Sequence, residues 1–309
     1  MPTCLVLGGA GFIGSHLTHA LARAGHRVRA FDRPHVDSLA ELAGRGDCEI
    51  VTGDFLNPQD LAMALPGSEV VFHLVSTTLP QASNENPSYD VETNLLGTLR
   101  LLELCRRERV RKVVFVSSGG TVYGVPRTVP IPESHPTQPT CAYGIHKLAI
   151  EKYLHLEHLL HGLDYCVLRP ANLYGERQRP DVSLGAVTVF VDRALRGEPI
   201  RIWGDGSIVR DYVYVGDAVD AMLKALAYAG TEKVFNVGSG AGTSLNDLVK
   251  RIEGVIGRQV AVEHTPPRAF DVPVNVLDSS LAKRVLGWSA ATPLATGIRK
   301  TYEWLRAGR

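Results

Sequence analysis

Cysteine is sparse and unpatterned in this chain of 309 residues. Cys4, Cys48, Cys105, Cys141 and Cys166 are scattered, with no C-x-x-C among them. An odd, unpatterned set argues against a disulfide framework and predicts reduced thiols in a cytosolic protein. Net charge is nearly absent as well: 33 Lys and Arg against 32 Asp and Glu leave +1. Such a balance gives no electrostatic basis for binding nucleic acid or an anionic membrane, and neither is expected as a partner. No apolar run is long enough to span a bilayer. The first predicted strand begins within a few residues of Met1, which leaves no room for a signal peptide, so the expected location is the cytoplasm. There is no internal repeat and no low-complexity segment.

What is present is organised around residues 4–17. Cys4 to Leu7 read as a short apolar strand, Gly8 to Gly11 as a tight turn, and Phe12 onward as a helix with Phe12, Ile13, Leu17 and Leu21 in helical spacing. This is the opening unit of a dinucleotide-binding fold, here spaced G-x-x-G-x-x-G. Gly8 lets the turn close, Gly11 lets the backbone approach a pyrophosphate, and Gly14 lets the helix pack tightly. The helix N-terminus then presents free N–H groups to the phosphates. Asp32 ends the second predicted strand, close to where an acidic residue takes the ribose hydroxyls. Its carboxylate repels a 2′-phosphate and favours NAD over NADP. Arg33 pulls the other way, since an arginine there can accept a phosphate.

Apolar strands and helices alternate through the first half. Strands are expected at 49–52, 70–75 and 112–117, and helices at 37–43, 61–65, 89–107 and 142–161, with a Ser-, Asn- and Pro-rich loop at 76–87. Strands without alternation mean a parallel sheet covered on both faces. The fold class is therefore α/β: a Rossmann-type doubly wound sheet over residues 1–171, then a smaller mixed α/β substrate domain over 172–309. A segment near 215–237 is expected to pack back on the first domain. A polar loop is expected at 172–182, a helix at 186–196, strands near 200–203 and 211–214, and a helix at 217–228.

The second chemical signal is Tyr143-Gly-Ile-His-Lys147. Residues four apart share a helix face, so the phenol and the ammonium enter one cleft. A free tyrosine, with a pKa near ~10, is a poor base at neutral pH. A neighbouring lysine and the positive ring of an oxidised nicotinamide favour the phenolate. His155, His158 and His161 recur every third residue, but their spacing around Glu157 does not fit H-E-x-x-H, and no metal site is expected.

With these motifs the chain resembles the extended short-chain dehydrogenases/reductases, in the group of NAD-dependent nucleotide-sugar epimerases and dehydratases. The resemblance runs through Gly53-Asp54, Asn94-Leu-Leu-Gly97-Thr98, Ser117-Ser-Gly-Gly-Thr-Val-Tyr-Gly124, Arg169-Pro-Ala-Asn172-Leu-Tyr-Gly175, Arg210-Asp-Tyr-Val-Tyr-Val215, Asn236-Val-Gly238 and Arg268-x-x-Asp271. It implies that Asp54 and Phe55 contact the adenine and that Leu74 and Val75 line the cofactor cleft. Phe12, Ile13, Asn94 and Pro170 fall at the cofactor, and Lys147 also holds the nicotinamide ribose. Asn172 helps hold the sugar nucleotide, Arg210 and Arg268 face its diphosphate, and Asp271 anchors the nucleoside side. Asn275, four residues after Asp271, corresponds to the position that gates the space around the sugar C2 substituent.

One departure stands out. The family usually places Ser or Thr four residues before Tyr123 as a proton relay, and here that residue is Gly119. Ser118, Thr121 or a water is left to relay. Gly120 and Thr121 stand where dehydratases carry Asp-Glu, so elimination lacks an obvious acid. The resemblance thus implies inversion of C4 of a UDP-hexose of the UDP-glucose/UDP-galactose type through a 4-keto intermediate, by a homodimer formed on the helices at 89–107 and 142–161. A sugar-nucleotide reductase or dehydratase is the alternative, and a non-catalytic NAD-binding sensor a more distant one.

Overall fold

The computed structural model describes residues 1–34, 37–182, 185–268 and 271–308. β1 (Thr3–Leu7), β2 (Arg27–Asp32), β3 (Cys48–Thr52), β4 (Val70–His73), β5 (Lys112–Val116) and β6 (Asp164–Pro170) pair in parallel in the order β6-β5-β4-β1-β2-β3. The chain leaves this sheet as β7 (Asn172–Tyr174), β8 (Ile200–Trp203) and β9 (Val209–Tyr214). It returns as β10 (Val234–Val237), a seventh strand parallel to β6. Every residue of β4 and β5 is buried, as expected for strands covered on both faces.

The covering helices divide the core in two. On one face α1 (Phe12–Arg23) packs Leu17 and Leu21 beside Val28 and Val114. Between them α2 (Pro58–Ala64), α3 (Pro80–Glu85) and α4 (Pro87–Asp90) lead to the opposite face. There α5 (Gly97–Arg107) and α6 (Ala142–His161) set Leu101, Leu102, Ile150 and Leu154 against Leu5 and Val113. After α7 (Ala186–Arg196), α8 (Val215–Ala227) adds Val219 and Met222 to the first face.

A third core holds the remaining layer together. β11 (Gly242–Ser244), β9 and β13 (Val274–Asn275) form a small sheet with β7 at the side of β9, and β12 (Val262–Thr265) pairs β8. Phe190 of α7, Leu248 of α9 (Leu245–Ile256) and, beyond α10 (Ser280–Leu286), Ile298 of α11 (Leu294–Arg306) pack beneath them.

Three expectations change. The loop expected at 76–87 contains α3, started by Pro80 in the first turn, where its missing N–H costs nothing. The helix expected from Tyr89 begins at Pro87, capped by Asn86, and passes through a π-helical turn at Val91–Leu96 before α5. Such turns recur at functional sites, and this one carries Asn94. The loop expected at 172–182 likewise opens with β7.

Candidate active site

The strand order reverses between β1 and β4, which opens a crevice beyond their carboxyl ends. Gly8 leaves β1 with φ +81°, a conformation that suits glycine. A Cβ at Gly8 would lie 3.5 Å from the Leu74 carbonyl carbon and the Val75 amide nitrogen, so the segments leaving β1 and β4 meet at this point. A Cβ at Gly14 would come within 1.9 Å of the Gly8 carbonyl oxygen. Gly11 is the N-cap of α1 and brings no side-chain cap, which leaves first-turn N–H groups for an anion. This cradle fits a dinucleotide pyrophosphate.

The flanking residues are arranged around it. Asp32 Oδ2 accepts from the Ala10 N–H (2.9 Å) and Oδ1 from the Arg33 N–H (2.8 Å), so the carboxylate is fixed at the turn while the Arg33 side chain is exposed. Ile13 packs on the first core, and Phe12 packs on the third and edge-on to His16, so both face protein with their side chains. Phe55 is buried and stacks on His73, with centroids 5.3 Å apart, while Asp54 is exposed and accepts from the Leu56 N–H. Asn94, expected at the cofactor, is buried and uses its amide internally. It accepts from the Thr77 N–H (2.9 Å) and donates to Thr78 Oγ1 and the Asp90 carbonyl (both 3.1 Å), so it holds the segment after β4 in place.

α6 starts where α3 caps it. Cys141 provides no side-chain cap; instead the N–H groups of Ala142 and Tyr143 donate to Asn84 Oδ1 and Ser83 Oγ, each at 2.9 Å. One turn on, Lys147 Nζ donates to the Val116 carbonyl at the end of β5 (2.9 Å) and lies 5.6 Å from the Tyr143 ring centroid. Burial pushes the Tyr143 phenol up to about 12, with the Ser76 hydroxyl beside it acting in the other direction. Burial pushes Lys147 down to about 8 against the pull of Asp90 and Glu151. Each group on its own resists its charged form; as an ion pair they support each other. Ser76 was passed over in the sequence because nothing local marks it.

Gly119 has no room for a side chain. Its N–H donates to the Pro170 carbonyl (2.8 Å), and a Cβ there would meet Leu277 Cδ1 at 2.5 Å and the Arg169 carbonyl oxygen at 2.9 Å. The Gly119 carbonyl accepts from Asn275 Nδ2 (3.1 Å), while Asn275 Oδ1 is buried with no partner among the described residues. Thr121 Oγ1 is also buried without a partner among them, against the first turn of α6: a Cβ at Gly144 would lie 2.8 Å from the Thr121 carbonyl oxygen. Ser118 is half-buried.

The residues expected at the substrate converge from distant elements. Arg268 clasps Asp271 with two bonds (2.8 and 2.9 Å) and stacks on Trp203, 4.2 Å from its ring centroid. Arg210 donates to the Val209 and Val272 carbonyls and reaches Asp271 at 3.7 Å; burial holds its guanidinium below the usual arginine range. A cavity of about 920 Å³ opens between Trp203, Ile208, Pro267, Arg268, Asp271 and Val274. Asn172 donates to the Asp211 carbonyl (3.0 Å). Trp203 is a further residue that sequence reading missed, since it was read only as the end of a strand. His155, His158 and His161 anchor α6 through Tyr165, the Leu163 carbonyl and Arg106.

The model of the NAD dependent epimerase/dehydratase family matches residues 4–238. The chain belongs to this family. The chain is 40% identical to the UDP-glucose 4-epimerase of Mycolicibacterium smegmatis, over 98% of each chain. It is 30% identical to the dTDP-4-dehydro-6-deoxyglucose reductase of Escherichia coli, over 98% of this chain and 97% of the relative. The structure superposes on that of Thermotoga maritima UDP-glucose 4-epimerase with UDP-glucose at a TM-score of 0.93, with 38% identity and 99% of both chains covered. Among the described residues no helix is long and apolar enough to cross a membrane.

Proposed function

We propose that the protein inverts C4 of a UDP-hexose of the UDP-glucose/UDP-galactose type through a transient 4-keto sugar. The observation that carries this reading is Tyr143 and Lys147 on one face of α6 at the dinucleotide crevice, in a chain related to 4-epimerases over nearly its whole length. Bound NAD supplies the hydride acceptor and donor at C4 and a positive ring that favours the phenolate. Tyr143 takes the proton of the 4-hydroxyl and gives it back after the keto sugar has turned. Lys147 keeps its ammonium beside the phenolate and holds the ribose.

Residues Gly8 to Gly14 seat the pyrophosphate, Asp32 the adenosine ribose, and Phe55, Leu74, Val75 and Pro170 the cleft walls. Arg210, Arg268 and Asp271 form the nucleotide end of the substrate site, with two guanidinium groups for a diphosphate. Asn172 and Asn275 lie on the sugar side, where Asn275 Oδ1, without a partner among the described residues, offers an acceptor. The chain divides functionally at 171/172, with the segment near 215–237 returning to the dinucleotide-binding part. Incubation with UDP-, GDP- and dTDP-sugars, read by NMR, tests the reading: UDP-glucose and UDP-galactose interconvert without net cofactor use. The reductase relative favours one second reading, release of product after a single hydride transfer. That reaction would consume reduced cofactor mole for mole.

Thr121, whose hydroxyl is buried without a partner among the described residues, is the relay that replaces the residue missing at Gly119. Thr121→Val lowers kcat at least about tenfold, the worth of a lost hydrogen bond to a charged group, with nucleotide affinity unchanged. Gly119→Ser does not restore a relay; it lowers the melting temperature, because its Cβ meets Leu277 and a backbone oxygen. A fully active Thr121→Val enzyme transfers the relay to water.

Asp32 selects the cofactor. Calorimetry finds NAD+ bound at least about tenfold more tightly than NADP+, since a 2′-phosphate next to this carboxylate loses its ribose bonds and gains repulsion. Equal affinities would mean that Arg33 overrides Asp32.

We also infer a homodimer. Leu156, Leu159 and Leu160 of α6 and Leu96 beside α5 are exposed, and Leu159 and Leu160 are 66% and 64% accessible. Apolar side chains at helical spacing on two adjacent helices fit an isologous helix-pair interface. Sedimentation as a monomer at micromolar concentration would refute it.

A further inference from the structure

Beside the Tyr143–Lys147 pair, where α4 meets α6, lies a buried carboxylate–imidazole hydrogen bond that the reaction described above does not use. Asp90, at the end of α4, is 0% exposed, and His146, between Tyr143 and Lys147, is 2% exposed. His146 Nδ1 lies 2.7 Å from Asp90 Oδ2. The other carboxylate oxygen accepts from the Thr78 hydroxyl and from Asn94 Nδ2. The carboxylate takes only donors, so the imidazole presents Nδ1–H to it and leaves Nε2 as a bare acceptor. That Nε2 is buried without a partner among the described residues. The His146 ring stands edge-on to Tyr143, with centroids 5.0 Å apart. The same stretch of chain meets Tyr143 through Ser83 at its amide and Ser76 at its phenol.

The charges around Lys147 differ in their own partners. Glu151, one turn further along α6, is clasped by Arg169 at 2.6 and 3.0 Å and by Ser117. His73 of β4 is kept neutral by burial, and burial with the nearby Lys147 ammonium holds His146 below the usual histidine range. Asp90 therefore faces only neutral donors: Thr78, Asn94 and a neutral His146. Lys147 donates to the Val116 carbonyl rather than to a carboxylate, and the buried Asp90 charge, ahead of that of Glu151, favours its ammonium.

We propose that the Asp90–His146 pair is a positioning device for the catalytic tyrosine: Asp90 supplies the counter-charge to the Lys147 ammonium, and His146 braces the Tyr143 ring. The proposal rests on Tyr143 as the base of the reaction. Removing the Asp90 charge lowers every ionisation near it, so both Tyr143 and Lys147 titrate at lower pH. Removing the His146 ring leaves the charge in place and loosens the phenol.

The test uses the NAD+ complex of Asp90→Asn and His146→Gln, whose amide still donates to Asp90. Phenolate absorbance of Tyr143, taken as the difference from the same variant carrying Tyr143→Phe, is followed against pH, alongside kcat and KM. In Asp90→Asn the phenolate titration and the alkaline limb of kcat both move down by about one pH unit. In His146→Gln the titration stays in place, while kcat falls about tenfold or more with KM little changed. An unmoved titration in Asp90→Asn overturns the proposal, whatever happens to turnover. Should that variant fail to fold, His146→Gln decides, and a wild-type kcat there overturns it. The absorbance readout needs no turnover, so failure of the proposed substrate shows itself separately, as inactivity of the unaltered enzyme.

Discussion

Tyr143→Phe leaves a protein that folds and binds NAD+ and nucleotide sugar, yet turns over about two to four orders of magnitude more slowly. The phenol is the group placed to move the 4-hydroxyl proton, and phenylalanine keeps its ring, its packing on His146 and its amide bond to Ser83. Little else in the structure changes, so the loss falls on kcat, with affinities preserved. The pH behaviour has a definite sign. Without ligand, burial holds Tyr143 protonated up to about 12 and lowers Lys147 to about 8. The productive combination is a phenolate beside an ammonium, so activity declines on the alkaline side as Lys147 loses its proton. Steady-state kinetics with calorimetry checks the prediction, and near-normal turnover in Tyr143→Phe removes the tyrosine from its role.

Gly14→Ala should weaken NAD+ binding by about a hundredfold or more and lower the melting temperature. Replacing glycine by alanine inside a helix ordinarily stabilises it by about 1 kcal/mol. At Gly14 the sign reverses, because the new Cβ would sit 1.9 Å from the Gly8 carbonyl oxygen and 2.9 Å from the Gly9 Cα. These are backbone atoms that cannot rotate away. α1 must move off the turn, and its N-terminal N–H groups move with it; a displacement of about 1 Å is enough for a loss of this size. Gly254, inside α9, is the control: no described residue lies within 4 Å of its Cβ position, so Gly254→Ala should add about 1 kcal/mol of stability. Calorimetry and thermal melts on the two variants read both signs. Tight NAD+ binding by a stabilised Gly14→Ala protein would contradict the cradle.

Local patterns carried much of this protein in legible form. The helix expected at 142–161 has those bounds in the structure, because apolar spacing and Gly162 at its C-cap are written in consecutive residues. The buried runs of β4 and β5 announced a sheet covered on both sides. The π-helical turn at Val91–Leu96 was not legible, since Leu95 continues the helical spacing of Leu99 and Leu102 and only the network around Asn94 and Asp90 marks the change. The crowding at Gly119 was not legible for a similar reason: Leu277, which fills the space a side chain would need there, lies far along the chain.

The sequence by itself determined the parallel sheet, the nucleotide turn and the Tyr143–Lys147 pair. Each depends on backbone dihedrals and repeats of a few residues, which act the same wherever the segment sits. Only the tertiary structure decided what stands against what: Asn275 at the Gly119 carbonyl, Trp203 under Arg268, and Asp90 on His146. Those contacts join residues separated by up to 156 positions. They exist because packing two apolar faces onto one twisted sheet fixes where every loop ends, and no local period in the chain encodes that.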